Sequence, residues 1–207
     1  MEKQMIIIIL ICLIILGLLS LKKRKNYTIE NQGERQVSEV LKKIKGYKLL
    51  NNILIKNQDK TTQIDHILIG KKGIFVIETK DFSGIITGEE YSKEWVQILN
   101  GNANNFYNPI RQNYGHIKSI ENLLKMKNIC ISVIVFTNKS KFKEVDTETP
   151  VIQLKELKRF IRKYSSNISI NKEEIEEIYN LIKKNNINSN RIRRKHIKNI
   201  KKKISIE

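Results

Sequence analysis

The chain has 207 residues, enough for one domain with a buried core and short appendages, and a formal net charge of +18 from 39 basic and 21 acidic residues. This excess favours a polyanionic partner, nucleic acid or an anionic membrane surface, although an AT-rich genome also produces a composition rich in Lys, Asn and Ile. Cys12 and Cys130 are the only cysteines, and neither has a Cys or His at metal-ligand spacing. This pattern excludes a zinc site and a disulfide framework and fits a reducing compartment.

Residues 5–21, "MIIIILICLIILGLLSL", form an uncharged run. As a helix it would span about 26 Å, close to the lower limit for crossing a bilayer. The basic cluster "KKRK", Lys22–Lys25, follows the run, whereas a signal peptide carries its positive charge in front. We therefore predict a single-pass transmembrane anchor with a basic flank over residues 1–25, and the positive-inside rule places the rest of the chain in the cytoplasm. The alternative is a buried core helix.

The hydrophobic pattern after the anchor predicts a helix, three strands, a helix and a strand as the core, which is an α/β fold with a mixed sheet. The elements in chain order are a helix at 33–44, strands at 47–55 and twice within 63–84, short strands at 83–88 and 94–99, a loop at 101–109, a helix from Pro109 to about Met126, a strand at 129–136 and a helix at 154–164. Residues 166–207 are predicted to form a helix that continues into a basic tail. Ten Lys or Arg and no acid lie between Glu177 and Glu207, so the tail either contacts nucleic acid or a membrane surface or is simply solvated.

Two acids interrupt otherwise apolar strands in "QIDHILIGKKGIFVIETKDFSG", residues 63–84. If "GKKG" forms the turn of a hairpin, Gly70 opposes Gly73 and, by steady counting, Asp65 opposes Glu78. Directly opposed residues share a face of the sheet, and Lys80, two residues beyond Glu78, shares it too.

Two opposed, partly buried carboxylates repel each other, and three arrangements would offset the repulsion. The acids could share a proton, Lys80 could neutralise one of them, or a divalent cation could bind both. A metal with a nearby lysine would supply the groups needed for phosphodiester hydrolysis. The structural alternative is a salt-bridged cluster that only stabilises the sheet.

Several motifs together resemble a known family. "GER" at residues 33–35, "TQIDHILIG", "GIFVIETKDFSG" and "NPIRQN" occur in the order found in the nuclease-related domain, NERD, within the PD-(D/E)xK nuclease superfamily. The resemblance covers residues 30–138 and implies a restriction-endonuclease-like α-β-β-β-α-β core, which we expect to extend over residues 30–165.

The resemblance also implies roles for particular residues. Asp65 and Glu78 would bind Mg²⁺ or Mn²⁺, Lys80 would be the catalytic lysine, Glu34 would lie beside the metal and Gln112 would hold a water or phosphate. The implied function is a membrane-anchored, metal-dependent nuclease acting on DNA. The alternatives are a non-catalytic nucleic-acid-binding or scaffolding module tethered to the membrane, or a protein that binds the membrane surface through its basic tail.

Three other side chains are candidates for supporting roles. His66 follows Asp65 and is expected to point to the opposite face as a packed or hydrogen-bonded strand histidine. His116 lies one helical turn after Gln112, on the same face, where core or surface packing competes with a role in positioning phosphate. Trp95, the only tryptophan, is expected in the core, with base stacking as the alternative.

Overall fold

A computed structural model describes residues 32–57, 60–189, 191–193, 195 and 196. Four helices of ten or more residues and nine strands follow one another in this part of the chain, and residues 191–193, 195 and 196 are also helical. They are α1 (Gln32–Leu41), β1 (Tyr47–Asn57), β2 (Lys60–Gly70), β3 (Gly73–Lys80), β4 (Gly84–Glu89), β5 (Glu94–Leu99), β6 (Asn102–Tyr107), α2 (Pro109–Leu124), β7 (Cys130–Phe136), β8 (Ser140–Asp146), β9 (Val151–Gln153), α3 (Leu154–Lys163) and α4 (Lys172–Asn185).

The main sheet is mixed, as predicted. Its five strands lie in the order β1-β2-β3-β7-β9, with β1, β2 and β3 antiparallel and β3, β7 and β9 parallel. The turn between β2 and β3 needs glycine at both ends. An added Cβ at Gly70 would collide with the Tyr47 ring, and Gly73 has a φ of +121°. The α/β architecture with this sheet fits a nuclease-like core.

Helices cover both faces of the main sheet. On one face, the α2 residue Ile120 and the α4 residues Ile178 and Ile182 pack against β1, β2 and β3. On the other face, Val37 of α1 and Leu157 of α3 pack in a second apolar cluster that includes β3 and β7. The successive side chains of β3 therefore alternate between two buried layers, which explains why this strand is apolar on both faces.

A second, four-stranded sheet lies in the order β6-β5-β4-β8 and corrects the prediction of a loop at 101–109. β6 pairs with β5 through a two-residue turn in which Asn100 and Gly101 have φ values of 52° and 81°. Asn-Gly in this conformation is a strong hairpin signal, and it was masked by the low β-propensity of the exposed asparagines that follow. Trp95 is 1% exposed in the cluster beneath this sheet, as predicted.

Residues 170–185 pack on the domain, since Ile170, Ile178 and Ile182 are buried in the cluster beneath β1 and β2. The chain then contacts the outer strand β1, where the Ile187 amide donates to the Leu54 carbonyl over 2.7 Å. The predicted anchor at 5–21 lies outside the described residues. Among the helices that the structure does describe, none is long and apolar enough to span a membrane.

Candidate functional site

The β2–β3 hairpin has the predicted register. Gly70 pairs with Gly73, and the ladder continues without interruption to the pair of His66 and Ile77. Asp65 and Glu78 are the next residues of the two strands, just beyond the last recorded pair. The Thr79 amide donates to Asp65 Oδ2 over 2.9 Å, so the Asp65 carboxylate lies against the β3 backbone just beyond Glu78.

Glu78 is the buried centre of a charged network. Glu78 is 2% exposed, and Lys80 Nζ donates to Glu78 Oε1 over 2.8 Å. His116 Nε2 lies 3.2 Å from its Oε2, although without the alignment of a good hydrogen bond. Burial alone would raise the pKa of Glu78, but Lys80 and His116 outweigh burial and lower that pKa to about 2. Glu78 is therefore ionised at neutral pH.

Asp65 experiences the opposite electrostatic balance. Burial raises its pKa well above the usual range, and the carboxylates of Glu78 and Glu34 raise it further. The Thr79 amide and the Lys80 ammonium act in the other direction without cancelling the shift. The pKa of one acid of the site is thus raised and the pKa of the other is lowered. Opposed pKa shifts of this kind are concentrated at functional sites.

Helix α2 contributes two side chains to the network. Lys80 Nζ donates to Gln112 Oε1 over 2.9 Å, and His116 Nδ1 lies 2.8 Å from Thr62 Oγ1. Gln112 and His116 are one turn apart and so share a face of α2. Their spacing allowed His116 to be weighed as a candidate, but its contact with Glu78 depends on how α2 packs against β3, which local sequence does not encode.

The start of α2 is fixed by Asn108, which is fully buried. Its Oδ1 accepts from the Ile110 amide over 2.8 Å, as an N-cap should, followed by Pro109 in the first turn. Its Nδ2 donates to the carbonyls of Glu89, Glu90 and Ser92 at 3.3, 3.0 and 2.7 Å. The side chain therefore joins α2 to the second sheet and sets the position of Gln112.

Asp81 fixes the start of α1, the helix that carries Glu34. Its carboxylate accepts from Thr137 Oγ1 over 2.8 Å and from Lys139 Nζ over 3.1 Å, and it also accepts from the Gly33 amide. An added Cβ at Gly33 would lie 2.7 Å from the Asp81 Cβ, so only glycine allows this close approach. The pair explains why Gly precedes Glu34 and holds that acid near Asp65.

His66 points away from the candidate site, as predicted. Its Nδ1 lies 2.8 Å from Asn51 Oδ1, and the Asn51 amide donates to Ser38 Oγ over 2.9 Å. Burial lowers the pKa of His66 to about 4, so the ring is neutral at physiological pH. This polar chain supports the sheet from the α1 face.

The structure thus brings all five predicted site residues into one region. Glu78, Lys80 and Gln112 form a hydrogen-bonded chain, and Asp65 and Glu34 interact with it through their charges.

Among the described residues, no group of three or more His, Cys, Asp or Glu side chains could hold a metal ion by itself. Mg²⁺, however, commonly takes only one or two carboxylates and completes its shell with waters and substrate phosphates. Two repelling carboxylates, one with a raised pKa, fit such a hydrated cation.

Comparisons with known proteins agree with this geometry. The family model described as "Nuclease-related domain", NERD, matches residues 29–137, more than half of the chain. An uncharacterized protein of Bacillus anthracis is 37% identical over 172 residues, which cover 80% of this chain and 81% of that protein. No solved structure matches the chain significantly. The general context of the family is the PD-(D/E)xK superfamily, as the motifs suggested. The chain belongs to the nuclease-related domain family.

Proposed function

We propose that the protein is a divalent-metal-dependent nuclease that hydrolyses phosphodiester bonds of DNA. The observation that carries the proposal is that two acids and a lysine meet at the end of the hairpin: Asp65 Oδ2 accepts from the Thr79 amide, next to Glu78, and Lys80 Nζ donates to Glu78 Oε1. A protein that only binds nucleic acid gains nothing from placing two acids together where they repel each other. Membership of a nuclease-related family supports the same conclusion.

Asp65 and Glu78 are the residues suited to hold Mg²⁺ or Mn²⁺, with Glu34 close enough to influence Asp65. The cation would supply charge stabilisation on the phosphate and acidify a bound water. In the structure, Lys80 Nζ lies 2.8 Å from Glu78 Oε1 and 2.9 Å from Gln112 Oε1. The lysine is thereby presented to a phosphate or an attacking water, where its charge would stabilise the pentavalent transition state.

Gln112 and His116 complete the proposed assignment as positioning residues. Gln112 orients the lysine, and His116 Nε2 lies 3.2 Å from the second oxygen of Glu78 while its Nδ1 lies against Thr62. Both sit on α2, whose start is fixed by Asn108. The resemblance assigns Gln112 to a water or phosphate, and its contact with Lys80 is compatible with that role.

A non-catalytic nucleic-acid-binding module is the second candidate. It is favoured by one observation: both oxygens of Glu78 already face cationic or polar groups, Lys80 and His116, as in a structural salt-bridged cluster. In such a protein Lys80 would be an internal counter-ion. In a nuclease, the Lys80 ammonium would leave Glu78 and contact the phosphate of the substrate.

Membrane anchoring is part of the proposal and depends on the sequence alone. The uncharged run 5–21 and the following "KKRK" support a single-pass anchor with the domain on the cytoplasmic side. Carbonate extraction of membranes from cells that express the full-length chain tests this. The chain should stay in the membrane pellet, and its release into the supernatant would contradict the anchor.

Lys80→Ala separates nuclease from binding module. The full-length chain in mild detergent is assayed for cleavage of duplex, single-stranded and branched DNA and of RNA, with binding of the same substrates measured in parallel. A nuclease should lose about 10²- to 10³-fold in turnover while it keeps most of its affinity. A wild-type chain that binds these substrates and cleaves none of them would support the binding module.

A further inference from the structure

The segment after α4 is docked beside the candidate site. We define the C-terminal segment as residues 186–196, of which 190 and 194 lie outside the described part. Leu54 of β1 is held at both backbone groups, because its amide donates to Asn186 Oδ1 over 3.0 Å and its carbonyl accepts from the Ile187 amide. The segment therefore begins along the outer edge of the main sheet.

Arg193 fixes the next part of the segment. Its Nη1 donates to Asn52 Oδ1 over 2.8 Å, and its Nη2 donates to Asn52 O and Asn186 Oδ1, each over 3.1 Å. Asn52 has a φ of 52°, a left-handed conformation that Asn tolerates and that interrupts the regular strand at this position. A guanidinium with three such acceptors is a positional anchor rather than a freely solvated charge.

The segment then reaches the edge of the site. His196 Nδ1 lies 2.8 Å from Thr61 Oγ1, and the next residue, Thr62, contacts His116, the partner of Glu78. Burial lowers the pKa of His196, the charges of His116 and Arg193 lower it further, and the hydrogen bond at Thr61 opposes this shift. The neighbouring threonines thus connect the C-terminal segment with the charged network.

Three exposed cations lie on this segment and on the strand that it contacts. Lys56 is exposed and pairs directly with Thr61 across β1 and β2. Arg191 and Lys195 are exposed and lie four residues apart in the helical turn of the segment, whereas the intervening Arg193 is turned inward. We call these three residues, Lys56, Arg191 and Lys195, the basic rim. No acid occurs in the sequence between Glu177 and Glu207, so the segment itself supplies no counter-charge.

We propose that the basic rim binds the phosphate backbone of nucleic acid beside the candidate site, with Arg193 as the residue that positions it. The proposal rests on the proposed function for its substrate class and adds the surface that holds the substrate. Positive charge fixed next to a carboxylate pair would hold the polyanion near acids that otherwise repel it. A nucleic-acid strand is favoured over an anionic membrane because the segment that carries Arg191 and Lys195 contacts Thr61, the residue next to the Thr62 that contacts His116 of the candidate site.

The test is a binding measurement that needs no catalysis. Full-length protein in mild detergent, with EDTA present, is titrated into a short fluorescent DNA duplex and the matching single strand over a range of salt concentrations. Arg191→Glu with Lys195→Glu is the test pair. Lys155→Glu with Lys158→Glu on α3 is the control: it changes the net charge equally, on exposed residues beside β9, at the opposite edge of the main sheet from β1.

The test pair should raise the Kd by about 10-fold or more and reduce the salt slope by about 2, and the control should change Kd by less than about 3-fold. Arg191→Gln with Lys195→Gln should give an intermediate loss, which guards against an artefact of introduced acids. Equal losses of DNA affinity in the test and control pairs, or no loss in the test pair, would contradict the proposed role of the basic rim. Binding to vesicles that contain an anionic phospholipid is measured in parallel, and a test pair that loses vesicle binding but keeps its DNA affinity would also contradict the proposal. Intact rim-dependent binding without cleavage would count against the nuclease and leave the rim standing.

Discussion

Lys80 Nζ lies 2.8 Å from Glu78 Oε1, two residues away on the same strand. This contact is one reason why the pKa of Glu78 is lowered whereas that of Asp65 is raised. Glu78 is stabilised as an anion, whereas the pKa of Asp65 on the neighbouring strand is raised because Asp65 is half-buried next to other carboxylates. One acid therefore stabilises the folded protein and the other weakens it. Substitutions of Asp65 and Glu78 are therefore expected to change the stability of the protein in opposite directions, in addition to their effects on activity.

Asp65→Asn should stabilise the protein at neutral pH. The pKa of Asp65 is raised in the folded protein from its ordinary value of 3.8. The free energy of unfolding therefore falls as pH rises from 3.8 towards the raised pKa. The amide removes that loss, and its oxygen can still accept from the Thr79 amide. Thermal unfolding in EDTA should show a melting temperature a few degrees above wild type at pH 8, with the gap closing as pH falls. A lower melting temperature at pH 8 would show that Asp65 is a structural counter-ion.

Glu78→Gln should have the opposite effect. The pKa of Glu78 is lowered to about 2 from 4.5, so its contribution to stability is present above pH 4.5 and disappears as pH falls towards 2. The substitution leaves the partly buried Lys80 ammonium without its anion and should cost about 3 kcal/mol at pH 7. Urea unfolding at pH 7 measures this, and a variant as stable as wild type would mean that the pair contributes no net stability.

Mg²⁺ should stabilise the wild-type protein more than Asp65→Asn. A cation that binds only the folded state raises the melting temperature by mass action, and here it also relieves the repulsion between the acids. A thermal shift of several degrees at millimolar Mg²⁺ is expected for wild type and little shift for the variant. Ca²⁺ serves as a second hard cation and Na⁺ at matched ionic strength as the control. Equal shifts in both proteins would place the cation elsewhere.

Asn108→Ala should destabilise the protein by about 2 to 3 kcal/mol, because three carbonyls and the Ile110 amide lose their partner in a buried position. Asn108→Asp keeps the N-cap acceptor but directs a carboxylate at the carbonyls of Glu89, Glu90 and Ser92. It should therefore be no more stable than the alanine variant, as measured by urea unfolding. If the Asn108→Asp variant were as stable as wild type, the cap alone would explain the role of Asn108.

The hairpin register could be predicted from sequence because the glycines of "GKKG" allow one tight turn and the alternation in β2 and β3 fixes which residues are opposed. The strand β6 could not, because its exposed asparagines have low strand propensity and only the Asn100–Gly101 turn indicates the hairpin. The short strands β8 and β9 were also missed. Each is stabilised by pairing with a distant segment, β4 and β7, rather than by its own pattern.

For the candidate site, motif spacing identified the residues but not all of their contacts. The proximity of Asp65, Glu78 and Lys80 follows from strand geometry alone. The contact of Lys80 with Gln112, the pairing of His116 with Glu78 and the docking of His196 at Thr61 depend on tertiary packing between segments far apart in sequence. No local periodicity carries that information.

Cleavage of DNA by the full-length chain, measured with Mg²⁺ and with EDTA in parallel, tests the central claim most directly. Asp65→Asn is the matched control, since it is isosteric and expected to be at least as stable as wild type. The nuclease account predicts cleavage by wild type in Mg²⁺, none in EDTA, and a loss of about 10²-fold or more in Asp65→Asn. Cleavage that persists in EDTA or in the folded Asp65→Asn variant would contradict a metal-dependent role for the paired acids.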